Sequence, residues 1–403
     1  MRDMLFLSQR IPYPPNKGDK IRSFNILKHF SKTHRIHLGC FIDDPADWEH
    51  VPALEKYCVD TCIVPLNKTV AKIKSLKAFL TGAPLNLPYF YDRTIEAWTR
   101  KVYAEVKPDA AFAFSSQMGQ YFLDAEPRPP RVVIDFCDVD SDKWKQYADS
   151  KNWPVSWIFK RESETLLKFD RRVAAAVDAA TFVAQPEVDL FLDLAPECNG
   201  KITAIGNGID TAYFKPDESY PSPYAPGGPI AIFTGAMDYW PNVDAVVWFA
   251  SKIFPRVRAE LPDARFYIVG GGPTTDVLKL ESIDGVHVAG RVPDMRPYFA
   301  YADAAVTPMR IARGIQNKVL EAMAMAKPTV TTPTALAGIG ATPERDILVA
   351  EDAQTFADQT VRALQDENAA ALGESAKSFV TRAYSWTGQL SPYDALIARP
   401  DDA

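Results

Sequence analysis

Short apolar runs alternate with stretches of helical spacing along most of this chain, and that alternation admits few folds. Residues 4–8 form a short apolar run that ends in a loop. The stretch 23–30 then places Phe24, Leu27 and Phe30 on one helical face, and 34–41 alternates as a strand does. Strand-like runs recur at 62–64, 110–114, 132–136 and 181–184. A second series follows at 230–234, 265–269, 286–289, 304–308 and 329–332, with helical stretches at 243–254 and 316–326. Strands separated by helical crossovers predict parallel sheets covered on both faces. Between the two series lies Tyr220-Pro-Ser-Pro-Tyr-Ala-Pro-Gly-Gly-Pro, which is dense in turn residues and marks a new domain. The expected architecture is therefore α/β, with two Rossmann-like domains. The first spans 1–205 and the second 206–380, and a segment 381–403 carrying Trp386 and Tyr393 packs back on the first. Ligands of such sheets bind beyond the carboxyl ends of the strands. Two domains facing across a cleft would hold them there.

Composition narrows the function. The 45 basic and 51 acidic residues leave a net charge of −6, so nothing draws the whole molecule to nucleic acid. No apolar run approaches the roughly 18 residues that cross a bilayer, and the first residues do not read as a secretory signal. Cys40, Cys58, Cys62, Cys137 and Cys198 are odd in number and scattered, which fits reduced packing residues and no metal. A cytoplasmic protein is expected.

The segment from Pro308 to Pro328 carries the most chemistry. A strand gives way to a loop holding Arg310, Arg313 and Gly314, and a helix begins near Gln316 and Asn317. The free amides at a helix start, together with Arg310, Arg313 and Lys318, suit a phosphate. Lys318 and Glu321 share a face. The lysine can meet a diphosphate and the carboxylate a ribose diol, or the two can form an ordinary surface ion pair.

Gly314, Lys318 and Glu321-Ala-Met-Ala resemble the donor-site helix of the GT-B glycosyltransferases, in particular glycosyltransferase family 4. Four further segments resemble that family in its order. Ile11-Pro-Tyr-Pro-Pro-Asn-Lys-Gly-Asp-Lys-Ile-Arg looks like its first loop, and Asn207-Gly-Ile-Asp with Phe214 like its interdomain turn. Phe233-Thr-Gly-Ala-Met-Asp-Tyr-Trp-Pro-Asn looks like its first C-terminal strand and loop, and Gly290-Arg-Val-Pro-Asp like the loop that meets the base. The whole pattern is similar to the sugar transferases of exosortase/PEP-CTERM exopolysaccharide systems. The resemblance implies GT-B architecture and a nucleoside diphosphate sugar as co-substrate, with no cofactor and no metal. It implies retaining transfer to a hydroxyl of a glycan or polyprenyl-linked glycan. Gly18, Asn207, Gly235, Arg291, Arg313, Gly314, Gln316, Asn317 and Glu321 are the implied donor contacts, and Arg310 and Lys318 stabilise the leaving diphosphate.

Two departures stand out. Many family members carry a glutamate eight residues before the position of Glu321, where this chain has Arg313. The family's Arg and Lys pair after the first C-terminal strand is replaced by Ala-Met-Asp-Tyr-Trp. A sugar-nucleotide 2-epimerase of the same fold and a non-catalytic nucleotide-sugar-binding protein therefore stay open. An NAD oxidoreductase is disfavoured, because no glycine fingerprint follows Leu7.

Three further features have two readings each. Asp138-Val-Asp140 has the form of a metal–diphosphate motif, but its place in the first domain points to acceptor contact or proton handling; helix capping by Asp140 or Ser141 is the alternative. Arg10, Lys20 and Arg22 surround the start of the first helix beside Gly18, where positive charge is mildly unfavourable. They would meet an anionic acceptor or form a solvated helix start. Residues 67–82 read as a basic amphipathic helix, either peripheral at the inner face of the cell membrane or packed on its own sheet.

Overall fold

A strand buried on both faces of a sheet reads as an unbroken apolar run. In the computed structural model, which describes residues 1–15, 17–123, 126–149, 152–217, 219–312 and 315–399, those runs build two sheets. The chain divides into two compact units, Met1–Asn207 with Gln389–Ala403, and Gly208–Gly388.

The first unit holds β1 (Arg2–Ser8), β2 (His34–Ile42), β3 (Cys58–Pro65), β4 (Ala110–Phe114), β5 (Arg131–Cys137), β6 (Ala179–Phe182) and β7 (Ile202–Ala204). They pair in the order β3-β2-β1-β4-β5-β6-β7, every pair parallel. Leu5, Leu7, Phe41, Ile134, Val173 and Phe191 belong to its core. The second unit holds β8 (Ile230–Thr234), β9 (Arg265–Val269), β10 (Val286–Gly290), β11 (Ala304–Thr307), β12 (Thr329–Thr331) and β13 (Leu348–Val349). Their order is β10-β9-β8-β11-β12-β13, again all parallel. Phe233, Phe249, Phe266 and Val306 pack its core.

In each sheet the strand order reverses beside the first strand of the unit. β1 pairs with both β2 and β4, and β8 with both β9 and β11. At such a switch point the two flanking crossovers leave in opposite directions and open a crevice at the carboxyl ends. In the second unit the loops that meet there are those after β8 and β11, which contain Gly235 and Arg310.

The chain's last helix, Pro392–Ile397, belongs to the first unit. Tyr393 is fully buried there, edge-on to Phe30 at 5.7 Å and to Phe112 at 5.4 Å. Its hydroxyl is hydrogen-bonded to Thr181 at 2.7 Å. Trp386, by contrast, stays in the second unit against Gly208, where a Cβ would stand 2.6 Å from the Trp386 backbone. The return therefore begins at Gln389 rather than at 381.

Candidate functional site

The switch point of the second unit is built from backbone. Gly235 N–H donates to the Val269 carbonyl (3.0 Å), Met237 N–H to that of Gly271 (2.8 Å) and Gly270 N–H to that of Gly290 (2.9 Å). These bonds lace together the loops after β8, β9 and β10. The lacing requires glycine, since a Cβ on Gly270 would stand 1.7 Å from the Gly235 carbonyl oxygen. The run Gly270-Gly271-Gly272 after β9 is thus a contact between loops. Arg291 lies across it, its Nε 3.0 Å from where a Gly271 Cβ would be.

Lys318 rises beside this floor from the helix Asn317–Ala324, which follows β11 and its loop. The helix starts with no side-chain cap and no acidic residue in its first turn, so no carboxylate there offsets the positive end of its dipole. Lys318 Nζ donates to Asn242 Oδ1 at 2.9 Å, and Asn242 Nδ2 donates to the Ala236 carbonyl at 2.9 Å. Asn242 therefore fixes the lysine against the loop after β8. Burial lowers the Lys318 pKa, opposed by the charge of Glu321. Burial likewise pushes the Glu321 carboxyl up to about 7, against the pull of Lys318. A half-buried lysine beside Gly235 and a carboxyl poised near neutrality lie one helical turn apart. Such an arrangement can accept a diphosphate and a diol.

The Arg310 guanidinium grips Asp244 with two bonds, at 3.0 and 2.5 Å, and lies 5.3 Å above the Trp248 ring. In the free protein that pairing answers the charge of Arg310, whose side chain stays half exposed. Gln316 and Asn317 sit at the helix start as expected. Arg313 and Gly314 lie outside the described residues. Asn242 and Asp244 escaped the sequence reading. The one signal for them was Pro241-Asn242 opening the helix Trp240–Trp248 directly after the glycine loop.

In the first unit the basic cluster is corrected in part. Lys20 is buried and its Nζ meets Asp47 at 2.6 Å. Arg22 is buried too, donating to Asp135 (2.7 Å), to Asn207 Oδ1 (2.9 Å) and to the Ile205 carbonyl (2.7 Å). Neither side chain faces solvent, so neither is offered to an acceptor. The misfit of cations at a helix start is resolved by acids that lie 27 and 113 residues away in sequence. Arg10 is more open but pairs with Asp19 (2.9 Å) and Asp43 (3.4 Å). Gly18 opens the helix Gly18–Phe30 with nothing within 4 Å of where a Cβ would stand. Asn207 has its carbonyl oxygen engaged by Arg22.

Asp138 and Asp140 follow β5, with Asp140 the first residue of the helix Asp140–Asp149. Lys143 Nζ joins them at 2.7 and 3.1 Å. The chain thus supplies its own cation to the pair, and burial raises the Asp140 pKa. Among the described residues no group of three His, Cys, Asp or Glu could hold a metal ion.

The same arrangement of two sheets occurs in solved structures. A sucrose-phosphate synthase from Thermosynechococcus elongatus aligns over 98% of both chains with a TM-score of 0.62 at 18% identity. HepE from Anabaena, in complex with UDP, aligns over 98% of both with a TM-score of 0.60 at 13% identity. A glycosyltransferase from Rickettsia africae does so over 98% of both with a TM-score of 0.62 at 13% identity. This is the GT-B fold. Residues 228–366 match the family model for glycosyl transferases group 1. That span contains the glycine floor described above, with Gly235 and Gly270, and also Lys318 and Glu321. No curated protein matches the chain.

Proposed function

We propose that this chain is a retaining glycosyltransferase that moves a sugar from a nucleoside diphosphate sugar to a hydroxyl of a glycan or polyprenyl-linked glycan. The observation that carries the reading is Lys318, held by Asn242 over the laced glycine loops at the switch point of the second unit. In the reaction the bond between the anomeric carbon and the diphosphate oxygen breaks and a bond to the acceptor oxygen forms. The acceptor proton passes to the departing phosphate oxygen. Lys318 and the uncapped helix start face the charge that builds on the diphosphate, where fixed donors act most strongly. The wider role we infer, exopolysaccharide assembly of the exosortase/PEP-CTERM kind, rests on the sequence resemblance. The UDP named for HepE makes uridine the first base to try.

A thermal-shift panel of uridine, guanosine and adenosine diphosphate sugars tests the reading, because a ligand of the folded state raises the melting temperature. One base should raise it clearly above the others, and product analysis with glycan acceptors should then find transfer. No shift with any donor removes the reading, and formation of an epimer alone replaces it with the epimerase.

The Glu321 carboxyl gives the donor site a pH dependence. A carboxyl with a raised folded pKa binds protons on folding, so its contribution to stability is greatest at low pH and falls between its ordinary 4.5 and about 7. Donor binding runs the other way, since an ionised carboxylate is the better acceptor for a ribose diol. Donor affinity should fall as pH drops below about 7, approaching a tenfold loss per pH unit. Glu321→Gln should bind more weakly at high pH and show no such fall. Titration calorimetry across pH 6 to 8, roughly one unit either side of that value, measures both, and an unchanged slope in the variant would assign the titration to another group.

A further inference from the structure

The helices Lys68–Ser75 and Ala78–Thr81 of the first unit face the wrong way for a packed surface helix. Their inward positions are the small residues Ala71, Ser75 and Ala78, which are buried. Their large apolar residues point out, with Ile73 64%, Leu76 60% and Leu80 90% exposed. The start of the helix Val155–Ala176 adds Trp153 and Trp157, 81% and 53% exposed. The two elements form one face. Phe79 stacks on Trp157 with ring centres 6.2 Å apart, the Arg161 guanidinium lies 4.8 Å from the centre of the Phe79 ring, and Arg161 Nη2 donates to the Ala83 carbonyl at 3.0 Å. Glu162 accepts from Leu85 N–H at 2.8 and 2.9 Å, which pins the following loop to the same helix.

Beside this face opens a pocket of about 590 Å³, lined by Lys74, Lys77 and Arg93 with Tyr91, Asp92 and Gln120. Asp92 caps the helix Arg93–Lys101 through Thr94 N–H at 2.8 Å. Among the described residues, Lys74, Lys77 and Arg93 form no ion pair. Large apolar side chains rimmed by unpaired cations match a surface that is oily within and negative outside. We infer that this face seats on an anionic bilayer, with a phosphate-bearing lipid headgroup taken between Lys74, Lys77 and Arg93. The apolar residues would enter the acyl boundary while the cations meet the headgroups. The inference goes beyond the transfer reaction and does not depend on it.

Flotation of the whole chain with vesicles is the test, using phosphatidylcholine alone and phosphatidylcholine with about one third phosphatidylglycerol. The chain should float with the anionic vesicles and stay behind with the neutral ones, and high salt should release it. The triple variant Ile73→Ser, Leu76→Ser, Leu80→Ser and the triple variant Lys74→Glu, Lys77→Glu, Arg93→Glu should each lower binding by about tenfold or more. Both sets of changes are on the surface, so melting temperature and donor-induced shift should stay as in the parent; failure of the donor reading would appear there and not in flotation. Absence of binding, equal binding to both vesicles, or undiminished binding of either variant overturns the inference. So does displacement from the vesicles by inorganic phosphate at an ionic strength at which sodium chloride leaves the chain bound, which would assign the pocket to free phosphate. An apolar variant that breaks up an oligomer without altering flotation would make the face a protein interface and overturn it equally.

Discussion

Replacing Arg22 by methionine should destabilise the first unit by about 3–5 kcal/mol, the cost of stripping one partner from a buried ion pair. Arg22 divides its donors among Asp135, Asn207 and the Ile205 carbonyl. Asp135 sits on β5 with no exposure at all, and its second oxygen accepts from Cys137 N–H at 3.0 Å. Without the guanidinium, Asp135 must remain as an uncompensated carboxylate in the sheet or take up a proton. The charge of Asp135 correspondingly holds the Arg22 pKa above its ordinary value against desolvation. For a unit of this size the loss corresponds to a fall of about 10 °C in melting temperature. Calorimetry with resolved transitions measures it. The double variant Arg22→Met, Asp135→Leu should recover much of the loss, since an apolar pair often replaces a buried ion pair at little cost. A single variant within about 1 kcal/mol of the parent would mean that water or a neighbouring group already solvates Asp135. An anionic acceptor bound by Arg22 would instead leave stability untouched and weaken only acceptor binding.

The contrast between Arg22 and Lys318 explains how far the sequence could be read. Periodicity located the central strands, because parallel strands buried on both faces must be apolar throughout. β7 and β13 escaped, because edge strands of three and two residues carry no period. After β11 the helix Asn317–Ala324 begins where the spacing placed it, so the position of Lys318 and Glu321 one turn apart on it was legible from order and spacing. The basic residues near Gly18 carried no such local information. Their partners, Asp47 and Asp135, arrive from other elements, and only the tertiary fold says that the charges face inward. The partner of Arg310 was hidden for the same reason, since Asp244 lies on a helix 66 residues earlier. Sequence reading thus identified where cations gather and could not tell which of them were already paired.

Lys318→Ala should lower kcat by about 10²–10³, the usual cost of removing one fixed donor to a developing negative charge. The direction follows from where the lysine is held. Asn242 aims it over the glycine floor, and its half-buried surroundings weaken competition from water. In the free protein its charge is opposed by desolvation; a diphosphate that gains charge during bond breaking rewards it most in the transition state. The loss should therefore fall on kcat, with KM for the donor changing less. Asn242→Ala removes the aim and leaves the charge, so its defect should be smaller and of the same kind. Asp244→Asn frees Arg310 from its present partner; if the pair is purely structural, that change should lower stability modestly and leave kcat near the parent value. Steady-state kinetics with saturating acceptor separates these outcomes. A Lys318→Ala enzyme with parental kcat and a raised donor KM would make the lysine a binding group only, and the stabilisation of the leaving diphosphate would then pass to the helix amides and Arg291.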